Sequence, residues 1–425
     1  MKKYFILPLC LLLAAVTFTS CSDDNGSSNT SSQDTFIESV VNQYVNNVIY
    51  PTYSNLASEG EELYTLINNL KTKLNAGTTV TEYEIKQICE TYKSARNYWE
   101  ESEAFLFGAA SDFEIDPHID TWPLDVPTLA ADLSDDAKIA KLNASDGISY
   151  ARTNLTPENL GFHGIEFIFF RDGKNRSVSF FNNNETESYT GFSGKNVTAK
   201  EEVIFAAAVA GDLRDKLYQL EVSWLGSDAP SSHVARVAEC AKTSDDFSTT
   251  VAKNGWSFGK NLSNPGSNST YSTWKKVLEE ILYGGCSNIC AEVADQKMGQ
   301  AYRCATGSAE DEDDPNYIES PYSYNSFKDF YDNIISIKNS LYGYCDWKGT
   351  WKSNSIMGYL ETYNEDLASE LNTKLEAALS ALLTCLNSGT AFVQNPGATN
   401  VGTAINAVSA LDDELVTVKN WILKN

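Results

Sequence analysis

Apolar residues recur at every third or fourth position along almost the whole chain. In 81–107, TEYEIKQICETYKSARNYWEESEAFLF, the stripe runs through Ile85, Ile88, Cys89, Tyr92, Ala95, Trp99 and Leu106, the spacing of one buried helix face. Thr81 stands three residues ahead of Glu84, the arrangement that caps a helix start from both sides. The same period marks 34–49, 52–76, 199–224, 230–253, 270–305, 326–342, 354–387 and 399–423, with Gly, Pro, Asn and Ser clusters between them, as expected of linkers. Alternation of period two is scarce; only SVSFFNNNE at 177–185 reads as one arm of a hairpin. Helices of this kind bury their stripes against one another, so the predicted fold is all-α.

Two predicted helices end alike, in SEAFLFG at Gly108 and IKNSLYG at Gly343, and in each half a long helix precedes and two follow. This pattern predicts two related four-helix bundles packed together, 34–256 and 257–425, the first interrupted by an irregular insertion at about 109–198. A chain of 425 residues also exceeds what one compact core usually holds. The opening, MKKYFILPLCLLLAAVTFTSCSDDNGSS, has Lys2 and Lys3, an apolar core over 4–16 and small residues before Cys21. That is a secretory signal over 1–20, too short to span a bilayer. TFTSC resembles a bacterial lipoprotein processing site, which implies lipid on the Cys21 thiol. Residues 21–33 then read as a lipidated flexible tether. The acidic SDDN resembles a surface-export signal. The expected location is the cell envelope, anchored by lipid to the outer membrane, with the periplasmic and cell-surface faces both open and the residues after Cys21 leaning towards the surface. No later run reaches ~18 apolar residues, so the N-terminal lipid is the expected membrane attachment.

Charge narrows the partners. The formal net charge is −25, and no basic face is concentrated anywhere, which excludes nucleic acid as a partner. Such acidity attracts cations. Cys286 and Cys290 are one helical turn apart, but no histidine or second close cysteine pair accompanies them, so they read as small buried residues rather than metal ligands.

The unusual chemistry lies in GFHGIEFIFF, 161–170. It sets His163 and Glu166 three apart in an otherwise apolar run, in a chain with only three histidines. On a helix the two would share a face, able to hold one metal ion or to form an acid/base pair. Gly161 and Gly164 leave room for another helix or a ligand beside His163. A zinc peptidase motif would need a second histidine one turn away, yet Phe167 follows Glu166, and only His118 and His233 are left elsewhere. Glu100 and Glu103, three apart, and Asp112, Asp116, Asp120 and Asp125 in the next loop offer oxygen ligands. Oxygen donors with one imidazole suit iron better than zinc. Arg96 reads either as an ion-pair partner of Glu100 and Glu103 or as an anchor for an anionic ligand.

These residues carry a family resemblance. GFHGIEF fits the G-x-H-x-x-E signature of the imelysin family of bacterial envelope proteins. ARNYWEESEAFLFGA (95–109), DPHIDTWPLD (116–125) and SPYSYNSFKDFYDNIISIKNSLYG (320–343) resemble three further segments of that family, in family order. The resemblance implies two helical bundles with a cleft at their junction. It implies His163 and Glu166 as the signature pair, catalytic if the protein is an enzyme, and His163, Glu166 and Glu103 as metal ligands. It adds Arg96, Ser102, Asp116, Asp120, Trp122, Ser320, Ser323 and Asn325 to Glu103 as cleft residues. Members have been classed as metallopeptidases and as iron-regulated or iron-uptake proteins. Three roles therefore stay open: binding of a metal ion, iron before zinc, or of a small anionic or metal-bearing ligand in iron acquisition; metal-dependent proteolysis; and a structural or interaction protein with a buried His–Glu pair.

Overall fold

The computed structural model describes residues 32–345 and 349–425. The signal segment and Cys21 lie outside the described residues. The expected tether lies outside the described residues except for its last two positions, where the first helix, Ser32–Tyr44, begins. Among the described residues the only strands are the two-residue arms Phe170–Arg171 and Lys174–Asn175, paired antiparallel. The expected strand at 177–185 is instead the short helix Val178–Asn182, started by Ser177, whose side chain accepts from the Phe180 amide. A local side-chain cap outweighs a two-residue alternation. No described helix is long and apolar enough to cross a membrane.

The predicted helices form, with instructive breaks. Thr81 and Glu84 make the reciprocal cap expected of them, and the helix they start, Glu82–Glu100, ends seven residues early. Glu103–Phe105 continues as a single tighter turn. The 230–253 stripe yields only Ser231–Cys240, and 354–387 breaks at Asn364, which caps Glu365–Leu386. The 270–305 stripe is one rod from Trp274 to Thr306 whose middle is π-wound over Glu280–Ser287 and Glu292–Lys297. π turns accommodate an extra residue and cluster at functional sites.

Helix packing is densest within two groups that share one continuous core, and Ser32–Tyr44 crosses between them to pack on Trp274–Glu279 and Ile356–Tyr363. Tyr50–Asn75 lies against Glu82–Glu100 and Ala199–Leu225, and the last of these is flanked by Gly147–Asn154 and Gly161–Phe169. In the C-terminal half Ser326–Tyr342, Glu365–Leu386 and Thr399–Lys424 pack with the Trp274–Thr306 rod. Ala199–Leu225 is buried on nearly every face although it carries Glu202, Asp212, Asp215, Lys216 and Gln219. A helix buried all round marks the centre of its group. The insertion supplies a run of short helices, including Ile115–Ile119 and Gly161–Phe169. The groups meet where Glu82–Glu100 and the Glu103–Phe105 turn touch Ser326–Tyr342 and the π-wound rod. There Gly285 is required: a Cβ on it would stand 2.1 Å from the Ala104 carbonyl oxygen.

Candidate functional site

Four chain segments, distant in sequence, meet at that junction. The helix Glu82–Glu100 brings Arg96, Trp99 and Glu100; Glu103 follows in the next turn. The end of Ile115–Ile119 brings Asp120. The signature helix Gly161–Phe169 brings His163 and Glu166. The C-terminal half brings Lys297, Glu319, Ser320, Ser323 and Asp329.

Gly161 explains how the first of these can touch. It has φ of +59°, and a Cβ on it would lie 1.8 Å from the Ile119 carbonyl oxygen. Only glycine permits both the left-handed backbone and that approach. The approach sets Asp120 beside the signature helix, with His163 Nε2 3.0 Å from Asp120 Oδ1. That contact is close enough for an ion pair but is not aligned as a hydrogen bond, since Nε2 has no hydrogen-bond partner. His163 Nδ1 stands 3.7 Å from Glu166 Oε2, the i, i+3 pairing read from the motif.

Arg96 is the hub of the charges. Its guanidinium pairs with Asp120, and it lies 2.5 Å from Glu100, 2.6 Å from Glu319 and 3.8 Å from Asp329. Trp99 Nε1 donates to the other oxygen of Asp120 at 2.7 Å. With four carboxyl groups around it and no exposure, Arg96 is an ion-pair partner rather than an anchor for an anionic ligand. Lys297 Nζ lies 3.2 Å from Glu319 and 3.7 Å from both Glu100 and Glu103. Even so, Glu100, Glu103, Asp120, Glu166, Glu319 and Asp329 outnumber the cations Arg96, Lys297 and His163 in one buried volume.

Protons absorb part of that excess. Burial pushes Glu319 up to about 7, with Lys297 pulling the other way and Glu100 adding to the rise. Burial likewise holds Glu103 and Asp329 well above the usual carboxylate range, against Lys297 and Arg96 respectively. Asp116, half-buried at the edge, rises to about 7 through burial and the charge of Asp120. Asp120 goes the other way: burial opposes its ionisation, but Arg96 and His163 overcome it and hold it below the usual range. Burial disfavours charge on His163, yet Asp120 and Glu166 raise it to about 9. The cluster is thus an acid-rich buried group of side chains that holds protons at neutral pH.

Two groups of side chains have metal-ligand spacing. One ligand atom from each of Asp120, His163 and Glu319 lies within 4.8 Å of the others, and the same holds for Glu100, Glu103 and Asp120. Of the expected ligands, His163 and Glu103 fall in different groups, and Glu166 falls in neither. Its Oε1 instead accepts the Tyr322 amide at 3.1 Å and both the amide and hydroxyl of Ser323 at 2.7 Å. Glu166 therefore ties the signature helix to the C-terminal half.

The other expected residues are placed as follows. Ser320 donates to Asp329 Oδ2 at 2.5 Å and Asn325 Nδ2 to Oδ1 at 2.5 Å. Ser102 is buried but donates to the Trp99 carbonyl, closing the helix end. Trp122 is half-buried at the rim, 6.0 Å from the His163 ring and 5.3 Å from Tyr317. His118 is held by Asp212 at 2.6 Å and His233 by Glu221 at 2.5 Å, so neither joins His163. Asp112 lines a separate surface cavity, and Asp125 caps Val126–Leu133. Cys286 and Cys290 are buried and burial pushes their thiols up, Cys286 to about 12, which keeps them protonated and inert. The expected open cleft is closed: His163 is 1% exposed and Glu166 0%.

Sequence reading passed over Lys297, Glu319 and Asp329 as site residues. A signal existed for two of them. Lys297 interrupts the stripe of Val293, Ala294, Met298 and Ala301, and Asp329 sits beside Phe330 in the stripe of Ser326, Asn333 and Ile337. A charge within an apolar stripe is buried and must be paired. Glu319 lies in a loop, where no periodicity speaks.

The comparisons agree with this architecture. The sequence profile of the imelysin family matches residues 49–416. "Iron-regulated protein A" of Synechococcus elongatus is 24% identical over 178 residues, 40% of this chain and 42% of that protein; the match spans about two fifths of the relative. A solved structure from Parabacteroides distasonis, described as an iron-regulated protein A precursor, superposes with TM-score 0.66 at 24% identity over 92% of this chain and 96% of that one. An imelysin-like protein from Psychrobacter arcticum superposes with TM-score 0.51 at 14% identity, covering 94% of each. At such identities these two structures share the fold.

Proposed function

Since the chain belongs to the imelysin family, and its junction holds more buried carboxyl groups than cations, we propose that it binds a divalent metal ion there, iron(II) first, as a lipid-anchored envelope protein of iron acquisition. One observation carries the reading. His163 Nε2 and Glu319 Oε2 are buried without hydrogen-bond partners, and each belongs to a residue of the Asp120–His163–Glu319 group. Orphaned polar atoms are costly in a dry interior, and a cation supplies the missing partner. The donor set fits: two carboxylates and one imidazole suit iron(II) or manganese(II).

Asp120, His163 and Glu319 would hold the ion. Bound there, the metal supplies a positive charge that replaces protons. The protein's own residues do the rest. Arg96 and Trp99 orient Asp120, and Glu166 steadies the helix that carries His163. Trp122 and Tyr317 shield the group from water. The relative's name, iron-regulated protein A, supports iron as the ion. Attachment through Cys21 to the outer membrane belongs to the same proposal, since a tethered protein at the envelope meets the ion before it crosses.

Metal-dependent proteolysis gains less from this geometry. Glu166 Oε1 accepts three hydrogen bonds, and Oε2, which has no hydrogen-bond partner, is buried 3.7 Å from His163, so neither oxygen reaches a substrate as a general base in this arrangement. No peptide reaches His163 without rearrangement of the junction. The test is metal analysis of protein purified without chelators, followed by calorimetric titration with Mn²⁺ and with Fe²⁺ under nitrogen. Stoichiometric binding lost in His163→Ala is expected. Absence of binding by the folded wild type would overturn the reading.

A further inference from the structure

Lys297 is a buried ammonium placed where the acid cluster offers a cation site. Its Nζ touches Glu319 of one ligand group and Glu100 and Glu103 of the other, and it lies 5.1 Å from the centre of the Trp122 ring. We propose that Lys297 is a tethered counter-ion that a divalent metal must displace, and that it thereby sets the affinity and the charge selectivity of the site. The inference rests on the metal reading above.

Three features support displacement rather than a fixed ion pair. The contacts of Lys297 to its three acids, 3.2 to 3.7 Å, are longer than those by which Arg96 holds Glu100 and Glu319, 2.5 and 2.6 Å; a lysine is a point charge on a flexible stem. It ends the π-wound segment Glu292–Lys297, a local departure from α geometry that marks a place able to rewind. The same segment opens outward: Glu292 and Asp295, with Tyr317, line a cavity of about 350 Å³ next to the cluster. An ammonium leaving the acids would find carboxylates there. A monovalent ion adds no more charge than the lysine it would expel, whereas a divalent ion adds twice as much, so the arrangement favours divalent ions.

The test uses the full folded chain and Mn²⁺ alone. Wild-type protein is treated briefly with acetic anhydride, with and without saturating Mn²⁺, and acetylation at Lys297 is read by peptide mass spectrometry. Lys297 is expected to be protected without metal and modified with it. In parallel, Mn²⁺ affinity is compared for wild type and Lys297→Met. The variant is expected to bind more tightly by about tenfold or more, since a resident charge no longer competes. It is also expected to melt lower than wild type without metal and to recover when Mn²⁺ is added. If wild type binds Mn²⁺ while Lys297 stays protected, or Lys297→Met binds no better, the inference fails and the metal reading stands. If neither protein binds Mn²⁺, the metal reading itself fails and this inference with it. Should Lys297→Met not fold, the labelling of wild type decides alone.

Discussion

Glu166→Gln is the sharpest probe of how the junction is built. The amide keeps the size of the side chain but removes its charge. Glu166 Oε1 accepts three hydrogen bonds from Tyr322 and Ser323, all between the signature helix and the C-terminal half. Hydrogen bonds to a charged group contribute about 1.5–3 kcal/mol each and neutral ones about 0.5–1.5. Neutralising the acceptor therefore costs roughly 1 kcal/mol per bond, or about 3 kcal/mol in all. The entropy of unfolding, about 2.1 cal/mol/K per residue, amounts to roughly 0.9 kcal/mol/K for this chain. The melting temperature should fall by about 3–4 °C in differential scanning calorimetry. Ser323→Ala removes one whole bond to the charged acceptor, about 1.5–3 kcal/mol, and should lower it by about 2–3 °C. The double variant should fall short of the sum, because both changes break the same bond. A Glu166→Gln protein melting with wild type, or effects that simply add, would refute the clamp. Mn²⁺ affinity should drop less in Glu166→Gln than in His163→Ala, because Glu166 lies outside both ligand groups.

Four further outcomes are expected. His163→Ala should weaken Mn²⁺ binding by about tenfold or more in calorimetric titration and, since it leaves Asp120 and Glu166 without a buried cation between them, should lower the melting temperature at least as much as Glu166→Gln. Arg96→Met strands Asp120, Glu100 and Glu319 without their shared cation, and chemical unfolding should show a loss of about 3–5 kcal/mol. Gly161→Ala forces a left-handed backbone and a clash with Ile119; it should cost at least about 2 kcal/mol and lower Mn²⁺ affinity by parting His163 from Asp120. The fourth is pH dependence. Glu319 is held at about 7 and His163 at about 9, both above their ordinary values. For a raised group the stabilisation is complete below the unfolded value and is lost as pH rises through the folded one. Metal-free protein should lose stability from pH 5 to 9, Glu319 contributing first and His163 later. Mn²⁺ must displace those protons, so its affinity should rise from pH 6 to 8. Titrations in buffers of different ionisation enthalpy should show proton release.

Much of the fold was legible because it depends on local period. The stripe of 326–342 gave a helix with those bounds, and the stripe of 399–423 a helix one residue longer. Thr81 and Glu84 announced a cap that forms. Breaks were less legible. The Glu82–Glu100 helix ends inside its apolar stripe because Ser102 donates back to Trp99 and the chain must turn to bring Glu103 towards Lys297. Helix period cannot register such a demand from a partner more than a hundred residues away.

Composition and motif alone determined an all-helical, acidic chain and singled out His163, Glu166, Arg96 and Asp120 as its unusual residues, since these follow from residue type and short spacing. Only the tertiary structure decided that Glu166 clamps two halves together, that Lys297, Glu319 and Asp329 complete the charge cluster, and that the whole is sealed from water. Those outcomes depend on which distant carboxylates and cations come to share one low-dielectric volume, where each charge is stabilised or neutralised by its neighbours rather than by solvent.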